Sequence, residues 1–210
     1  MVTTDALGCQ KSVAEAIIAG QADYLLQLKE NQPTLLAKTK NLLDEAILEK
    51  FKDVPHDTWE QTEAGHGRIE TRKLWVIWNI EDLKEAADGW KDLRSLIAVE
   101  RTRNTNGKTS SDRQYYISSL DRRSSAKRLA GCVRGHWGVE NNLHWQLDVS
   151  FAEDQRRIRK DHGAENFSRL CRISLMLLKA EKTMKCGIKG KRKCCGWSND
   201  YILTVLKQSI

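Results

Sequence analysis

The first 28 residues constrain the fold more than any other stretch. Val2-Thr3-Thr4 is a short β-branched run that stops at the turn-forming Asp5-Ala6-Leu7-Gly8. Gln10 to Ala19 then sets Val13, Ala14, Ile17 and Ile18 on one face at helical spacing, with Gly20 closing the run. Tyr24-Leu25-Leu26-Gln27-Leu28 reads as a second strand. A strand, a helix and a strand in so short a span form a crossover unit, and strands joined in that way pair in parallel. The chain is therefore expected to be α/β. In open sheets of this class, polar ligands gather at the carboxyl ends of the strands. Here those ends are Asp5 and Lys29-Glu30-Asn31-Gln32. Asp is equally at home as a turn former or cap, so position alone leaves both readings of Asp5 open.

Pro33 can open a helix, and Leu35, Leu36, Leu42, Leu43, Ile47 and Leu48 give it an apolar face out to about Phe51, before Asp53-Val54-Pro55 breaks the pattern. From 56 to 120 the period changes to two. Trp59 to Thr62, Arg68 to Trp78, Leu96 to Arg103 and Gln114 to Ser118 read as strands, with turns at Gly65-His66-Gly67 and Asn104 to Gly107. Arg68, Glu70 and Arg72 are assigned to one face and Ile69 and Leu74 to the other, the polar face being a solvated surface or, less simply, a DNA-facing one. Beyond Ser124-Ser125, which caps a helix weakened by Gly131, Gly135 and Gly138, Asp148 to Phe151 is a strand or a turn. Ala164 to Lys179 is a helix with Phe167, Leu170, Cys171, Ile173, Ser174, Leu177 and Leu178 inward. Trp197 to Leu206 is a short amphipathic segment. The expected layout is a first core part at 1–52, a β-rich insertion at 53–123, a second core part at 124–180, and a basic tail with a short terminal helix at 181–210.

The stretch His136-Trp137-Gly138-Val139-Glu140-Asn141-Asn142-Leu143-His144-Trp145 raises a chemical question. Leu129, Cys132, Val133, Trp137, Leu143 and Leu147 mark one apolar stripe, and Glu140 falls inside it. A carboxylate facing a core is costly unless it is paired or bound to a metal. Either the helix is rolled so that Glu140 meets solvent or a buried Arg, or Glu140 is a metal ligand. A site built from His136, Glu140 and His144 on a single ion is disfavoured, because the three span two helical turns, about 12 Å of rise.

Charge is unevenly placed. Residues 1–100 hold 12 Lys and Arg against 18 Asp and Glu, whereas residues 101–210 hold 23 against 10. The first part is thus net −6 and the second net +13, and a basic half of that size suits a polyanion such as nucleic acid or forms a solvated basic face. No apolar run is long enough to span a membrane, and Met1 to Asp5 carries no secretory signal pattern. Six cysteines without a CxxC pair read as reduced thiols; Cys186, Cys194 and Cys195 lack zinc spacing.

Five ordered stretches carry a family resemblance: Val2 to Gln10, Leu28 to Gln32, Gly65 to Arg72, Tyr115 to Leu120, and His136 to Trp145. Glu153 to Arg159 and Asn166 to Lys179 extend it. Together they resemble the second half of a bacterial insertion-sequence DDE transposase of the H-repeat-associated branch. The resemblance implies a partial ribonuclease-H-like core, its second half, with a β-rich insertion and a helical, basic C-terminal region. It implies two-metal phosphoryl transfer on DNA with Mg²⁺ or Mn²⁺, hard cations that take oxygen ligands. Asp5 matches the family's second acid and Glu140 the third, as catalytic and metal-binding residues. Lys29, Asn31, Arg68, Arg72, Arg134, His136, Arg156, Arg157 and Arg159 are the candidate DNA contacts.

The implied partners are double-stranded DNA at element ends and a homo-oligomer or a complementing N-terminal fragment. The implied setting is the bacterial cytoplasm, at the nucleoid, with no membrane. The family's first Asp lies upstream of its second, and only four residues precede Asp5 here, so the expectation is a truncated, catalytically incomplete copy. The alternative is a non-catalytic DNA-binding or regulatory remnant. Related branches also carry an Arg four residues before the third acid and a Lys seven after it, where this chain has His136 and Leu147.

Overall fold

The computed structural model describes residues 1–208 apart from His66, Asn79 and the side chain of Glu140. The chain divides into two compact units, Met1–His136 and Trp137–Ile210.

The first unit is built on one six-stranded mixed sheet. Its strands are β1 (Val2–Thr4), β2 (Tyr24–Leu28), β3 (His56–Gly65), β4 (Arg68–Ile77), β5 (Ser95–Thr105) and β6 (Lys108–Ser118), in the spatial order β1-β2-β6-β5-β4-β3. Helix α1 (Lys11–Ala19) crosses from β1 to β2, and these strands pair in parallel with Val2 opposite Tyr24 and Thr4 opposite Leu26, as the opening pattern requires. Helix α2 (Pro33–Leu48) begins at Pro33, where the missing N–H costs nothing. Strands β3 to β6 form two antiparallel hairpins. The β5–β6 loop is Asn106-Gly107 with φ of 52° and 78°, the two-residue turn whose positive φ values match strand twist and favour Asn-Gly. The last strand of this β-rich segment pairs antiparallel with β2, Leu25 opposite Ser118, so the crossover unit and the two hairpins share one hydrogen-bonded sheet.

Strand alternation distributes two apolar layers. Tyr24, Leu26, Leu28, Ile77, Leu96, Ala98, Tyr115 and Ile117 pack with α1, α2 and the short 3₁₀ segment Glu81–Ala87. Their neighbours Leu25, Leu74, Val76, Ile97 and Tyr116 pack on the other face, against Ala126, Leu129, Ala130 and Val133 of α3 (Ala126–Val139). Leu74 therefore shares a face with Glu70 and Arg72, contrary to the sequence reading: β4 pairs without a bulge from Arg68 to Ile77, so period two is unbroken. The polar face is not simply solvated either, because Glu70 is buried.

The second unit is helical. It holds α4 (Trp145–Phe151), α5 (Gly163–Ala180), α6 (Ile188–Trp197) and α7 (Asn199–Leu206), making seven helices of this kind among the described residues. Asp148 to Phe151, expected as a strand or turn, is part of α4, since Leu147 and Phe151 bury one turn apart against Cys171, Leu175 and Leu178. That cluster centres the inward face of α5 on Cys171, Leu175 and Leu178, so Leu170 and Ile173, expected inward, are exposed. Residues 181–210, expected as a basic tail with one short helix, fold as α6 and α7 around a buried charge. The Glu181 carboxylate is fully enclosed and accepts from Tyr201 Oη at 2.8 Å, from Met184 N–H at 3.1 Å and from Thr183. It pairs with Lys191 Nζ at 3.0 Å. These donors, led by Thr183, hold its carboxyl well below the usual range. A buried ion pair is tolerable only when its remaining groups are satisfied in this way.

No helix among the described residues is long and apolar enough to cross a membrane.

Candidate functional site

Asp5 stands at the carboxyl end of β1, and its exposed side chain caps the 3₁₀ turn Ala6–Gly8: Gly8 N–H donates to Asp5 Oδ1 at 3.3 Å. The turn-capping reading of Asp5 is the one observed, and the capping bond uses a single oxygen. Oδ2 makes no hydrogen bond among the described residues. The turn is braced from the end of the neighbouring parallel strand. Asn31 Nδ2 donates to the carbonyls of Ala6 at 2.7 Å and Cys9 at 3.3 Å, and Gln32 Nε2 donates to Cys9 O at 3.0 Å. Asn31, a candidate DNA contact, therefore spends its amide on the backbone that shapes the Asp5 turn. Gly8 is required beside it, because a Cβ there would lie 2.6 Å from both Cβ and Oγ1 of Thr4. Lys29 is exposed, and it joins Leu7, Lys40, Arg113 and Tyr115 in lining a cleft of about 640 Å³.

Helix α3 approaches β1 from the other face of the sheet. Ser125 caps it, accepting Arg128 N–H at 3.3 Å, and Asp57 Oδ2 of β3 accepts Ala126 N–H at 2.7 Å. The glycines at 131 and 135 do not break it, because Leu129, Ala130 and Val133 bury on the sheet and tertiary packing outweighs propensity. At its far end His136 Nδ1 lies 3.3 Å from Thr3 Oγ1, two residues before Asp5. The helix then changes hydrogen-bond period: Glu140–His144 is a π-helical turn, a feature that recurs at functional positions. A wider turn rotates the helix face, and this is where the predicted stripe divides. Leu129 and Val133 pack on the sheet and Leu147 packs in the helical cluster, while Trp137 is 41% exposed. Glu140 opens the π turn; its side chain lies outside the described residues.

The candidate arginines fall into three situations. Glu70, with its side chain 6% exposed, gathers Arg68 at 3.8 Å, Arg103 at 3.6 Å and Arg72, while Glu63 gathers Arg72 at 3.0 Å and Arg134 at 2.8 Å. Hydrogen bonds from Arg134 and then Arg72 hold the Glu63 carboxyl below its ordinary range. Arg72 and Arg134 are thus committed to carboxylates. In the second unit, Arg156 stacks 4.0 Å above the Phe167 ring and donates to Phe151 O at 2.8 Å, and Arg159 donates to the carbonyls of Arg156 and Ile158. Arg157 is exposed.

Sequence reasoning passed over Asp57 and Glu63. Their signal was present in the polar positions 57, 61 and 63, which share the period-two face of Trp59. No cluster of three His, Cys, Asp or Glu suited to a metal occurs among the described residues, a set that excludes the Glu140 side chain. The cysteines are free thiols.

Residues 1–177 match the family described as Transposase DDE domain. The chain belongs to this family. Within it, the chain is similar to protein YbfL of Escherichia coli K12, at 35% identity over 214 residues that cover 100% of this chain and 55% of YbfL. It is similar to the same organism's "H repeat-associated putative transposase YhhI", at 34% identity with the same coverage. It is also similar to a transposase-named protein, YncI, of E. coli O157:H7, at 36% identity over 98% of this chain and 52% of that one. The DDE chain thus spans about half the length of the curated relatives it matches. Its H-repeat affinity accords with the stretches around Asp5, Gly65 to Arg72 and Glu140.

At position 147, where the resemblance leads us to expect Lys, this DDE chain has a Leu that is 1% exposed. Here the position serves the core.

Proposed function

We propose that the chain provides two carboxylates, Asp5 and Glu140, to a DDE-type transposase that cuts and joins insertion-sequence DNA. The observation that carries the reading is Asp5 itself, an exposed carboxylate at the carboxyl end of a parallel strand, with one oxygen fixed by Gly8 N–H and the other uncommitted. That donor set fits a hard divalent cation. Mg²⁺ or Mn²⁺ held there would supply activation of the attacking oxygen and stabilisation of the leaving one. Asp5 and Glu140 would hold the ions, and Asn31, Gln32 and Gly8 would keep the Asp5 turn rigid. The mixed sheet with helices on both faces is consistent with a ribonuclease-H-like core. Among the described strands β1 is at the edge of the sheet, and the first acid that the family resemblance implies would come from outside the residues described. A complementing segment could provide it.

The partner is double-stranded DNA at element ends, met by Lys29 and Arg68 and by Arg157 with other cations of the net +13 second half; the setting is the bacterial cytoplasm and nucleoid. That same charge favours a second reading, a DDE protein that binds DNA without cutting it. The test is strand cleavage with Mn²⁺ on a duplex carrying the element end, by the chain alone and joined to the part of YhhI outside the matched residues. Cleavage lost in Asp5→Ala supports the first reading. A low-salt gel shift without cleavage in either form supports the second, because phosphate contacts are strongest at low salt.

A further inference from the structure

Strand β3 forms the edge of the sheet opposite β1. Its residues alternate between exposed and half-buried along nearly its whole length, and the half-buried set is Asp57, Trp59, Gln61 and Glu63. All four meet α3 or the apolar layer beneath it. Asp57 Oδ2 takes the Ala126 N–H at the first turn, at 2.7 Å. Trp59 packs in the layer with Leu129, Ala130 and Val133. Gln61 Oε1 lies 3.5 Å from Arg134 Nη1. Glu63 takes Arg134 in a two-pronged pair, Nη1 to Oε1 at 2.8 Å and Nη2 to Oε2 at 3.2 Å. Glu63 is itself held on the sheet by Arg72 at 3.0 Å and Gln61 at 3.2 Å.

We propose that β3 is a positioning rail for α3, with Glu63 as the positioning residue that sets where the C-terminal turn of the helix comes to rest. The inference rests on the reading of Glu140 as a metal ligand, since α3 ends at Val139 and Glu140 is the next residue. The physical need is specific. Leu129, Ala130 and Val133 hold α3 to the sheet, but apolar contacts are weakly directional and permit a small slide or roll. A charge-assisted fork is directional. Pins at Ala126 and Arg134 lie eight residues apart, about 12 Å along the axis, so together they fix translation and roll. On this account Arg134 works through Glu63 and does not grip DNA. The β-rich segment between the two acids then has a task inside the catalytic unit.

The experiment uses Glu63→Gln, Arg134→Met, Arg134→Lys and the Glu63→Gln/Arg134→Met pair. Each is compared for single-turnover cleavage rate and for DNA affinity, in the 210-residue chain joined to the remaining part of YhhI. Misplacement of about 1 Å costs up to about 100-fold in rate, so each neutral variant should lose about tenfold or more in rate with DNA affinity unchanged. The pair should be no worse than either single change, and Arg134→Lys should recover part of the rate. If Glu63→Gln leaves the rate intact and tightens DNA binding, Arg134 is a DNA contact and the rail is refuted. Hydrogen exchange on the 210-residue chain gives a readout without catalysis. Amides 134–139 should exchange faster in Glu63→Gln while those of Leu74 and Ile97 keep their protection; unchanged exchange at 134–139 overturns the proposal. Absence of cleavage in the unmutated protein would instead count against the transposase reading, and the exchange result would still decide the rail.

Discussion

Asp57→Ala should loosen α3 at its first turn, and its size can be worked from two contacts. Asp57 Oδ2 accepts the Ala126 N–H at 2.7 Å, and Oδ1 accepts the Thr58 N–H at 2.8 Å. Losing a capping acceptor costs about 1 kcal/mol, and losing a negative charge at a helix N-terminus costs about 0.5 kcal/mol more. The sum is about 1.5 kcal/mol, and for a chain of this size each kcal/mol moves Tm by about 2–4 °C. Thermal unfolding should therefore fall by about 3–6 °C in Asp57→Ala. Asp57→Asn keeps one acceptor for the Ala126 N–H and loses the charge and the acceptor for the exposed Thr58 N–H, so its shift should be smaller than that of Asp57→Ala. The assay is a thermal melt of the three proteins, with exchange at Leu129 and Val133 as a local check. An Ala variant within about 0.3 kcal/mol of the parent, or an Asn variant as damaging as Ala, would refute the capping argument.

Gly8→Ala should displace the Asp5 turn, because its Cβ would sit 2.6 Å from Thr4; the check is loss of Mn²⁺-dependent cleavage with Tm lowered by no more than a few degrees. Leu147→Lys should destabilise the helical unit by about 3 kcal/mol in a urea titration, since it places an ammonium among Phe151, Cys171 and Leu175. Burial, and then the hydrogen bond to Asp44, pushes the Tyr115 hydroxyl up to about 12, and burial pushes the Cys9 thiol up to about 12. Both folded values lie above the unfolded ones, so the stability they confer is complete below about pH 9 and is lost as pH rises toward 12. Tyr115→Phe should flatten the upper part of that decline in stability measured against pH.

The parallel β1–β2 pair, α2 from Pro33, the two hairpins and the Asn106-Gly107 turn were legible because each rests on local chemistry that only one backbone geometry satisfies. The Asp5 turn was legible for the same reason. What escaped depends on partners distant in sequence. The inward face of α5 is chosen by Leu147, Phe151 and Val205, so its own periodicity could not place Leu170 and Ile173 outside. Helix α6 forms around Lys191, whose partner Glu181 lies ten residues earlier, and a lysine-rich run carries no sign of such a pair. Arg134 looks like a polyanion contact in sequence because its partner Glu63 is 71 residues away along the chain. The apolar stripe through Glu140 assumed one uniform helix, and the π turn at Glu140–His144 breaks that assumption.

The central claim is that Asp5 and Glu140 are metal-holding carboxylates of a DNA-cutting centre. The most direct measurement is Mn²⁺-dependent nicking of an element-end duplex by the chain joined to the remaining part of YhhI, beside Asp5→Asn and Glu140→Gln. The account predicts that each substitution lowers the rate at least about 1,000-fold with Tm and DNA binding unchanged. Nicking that persists in either variant would contradict it.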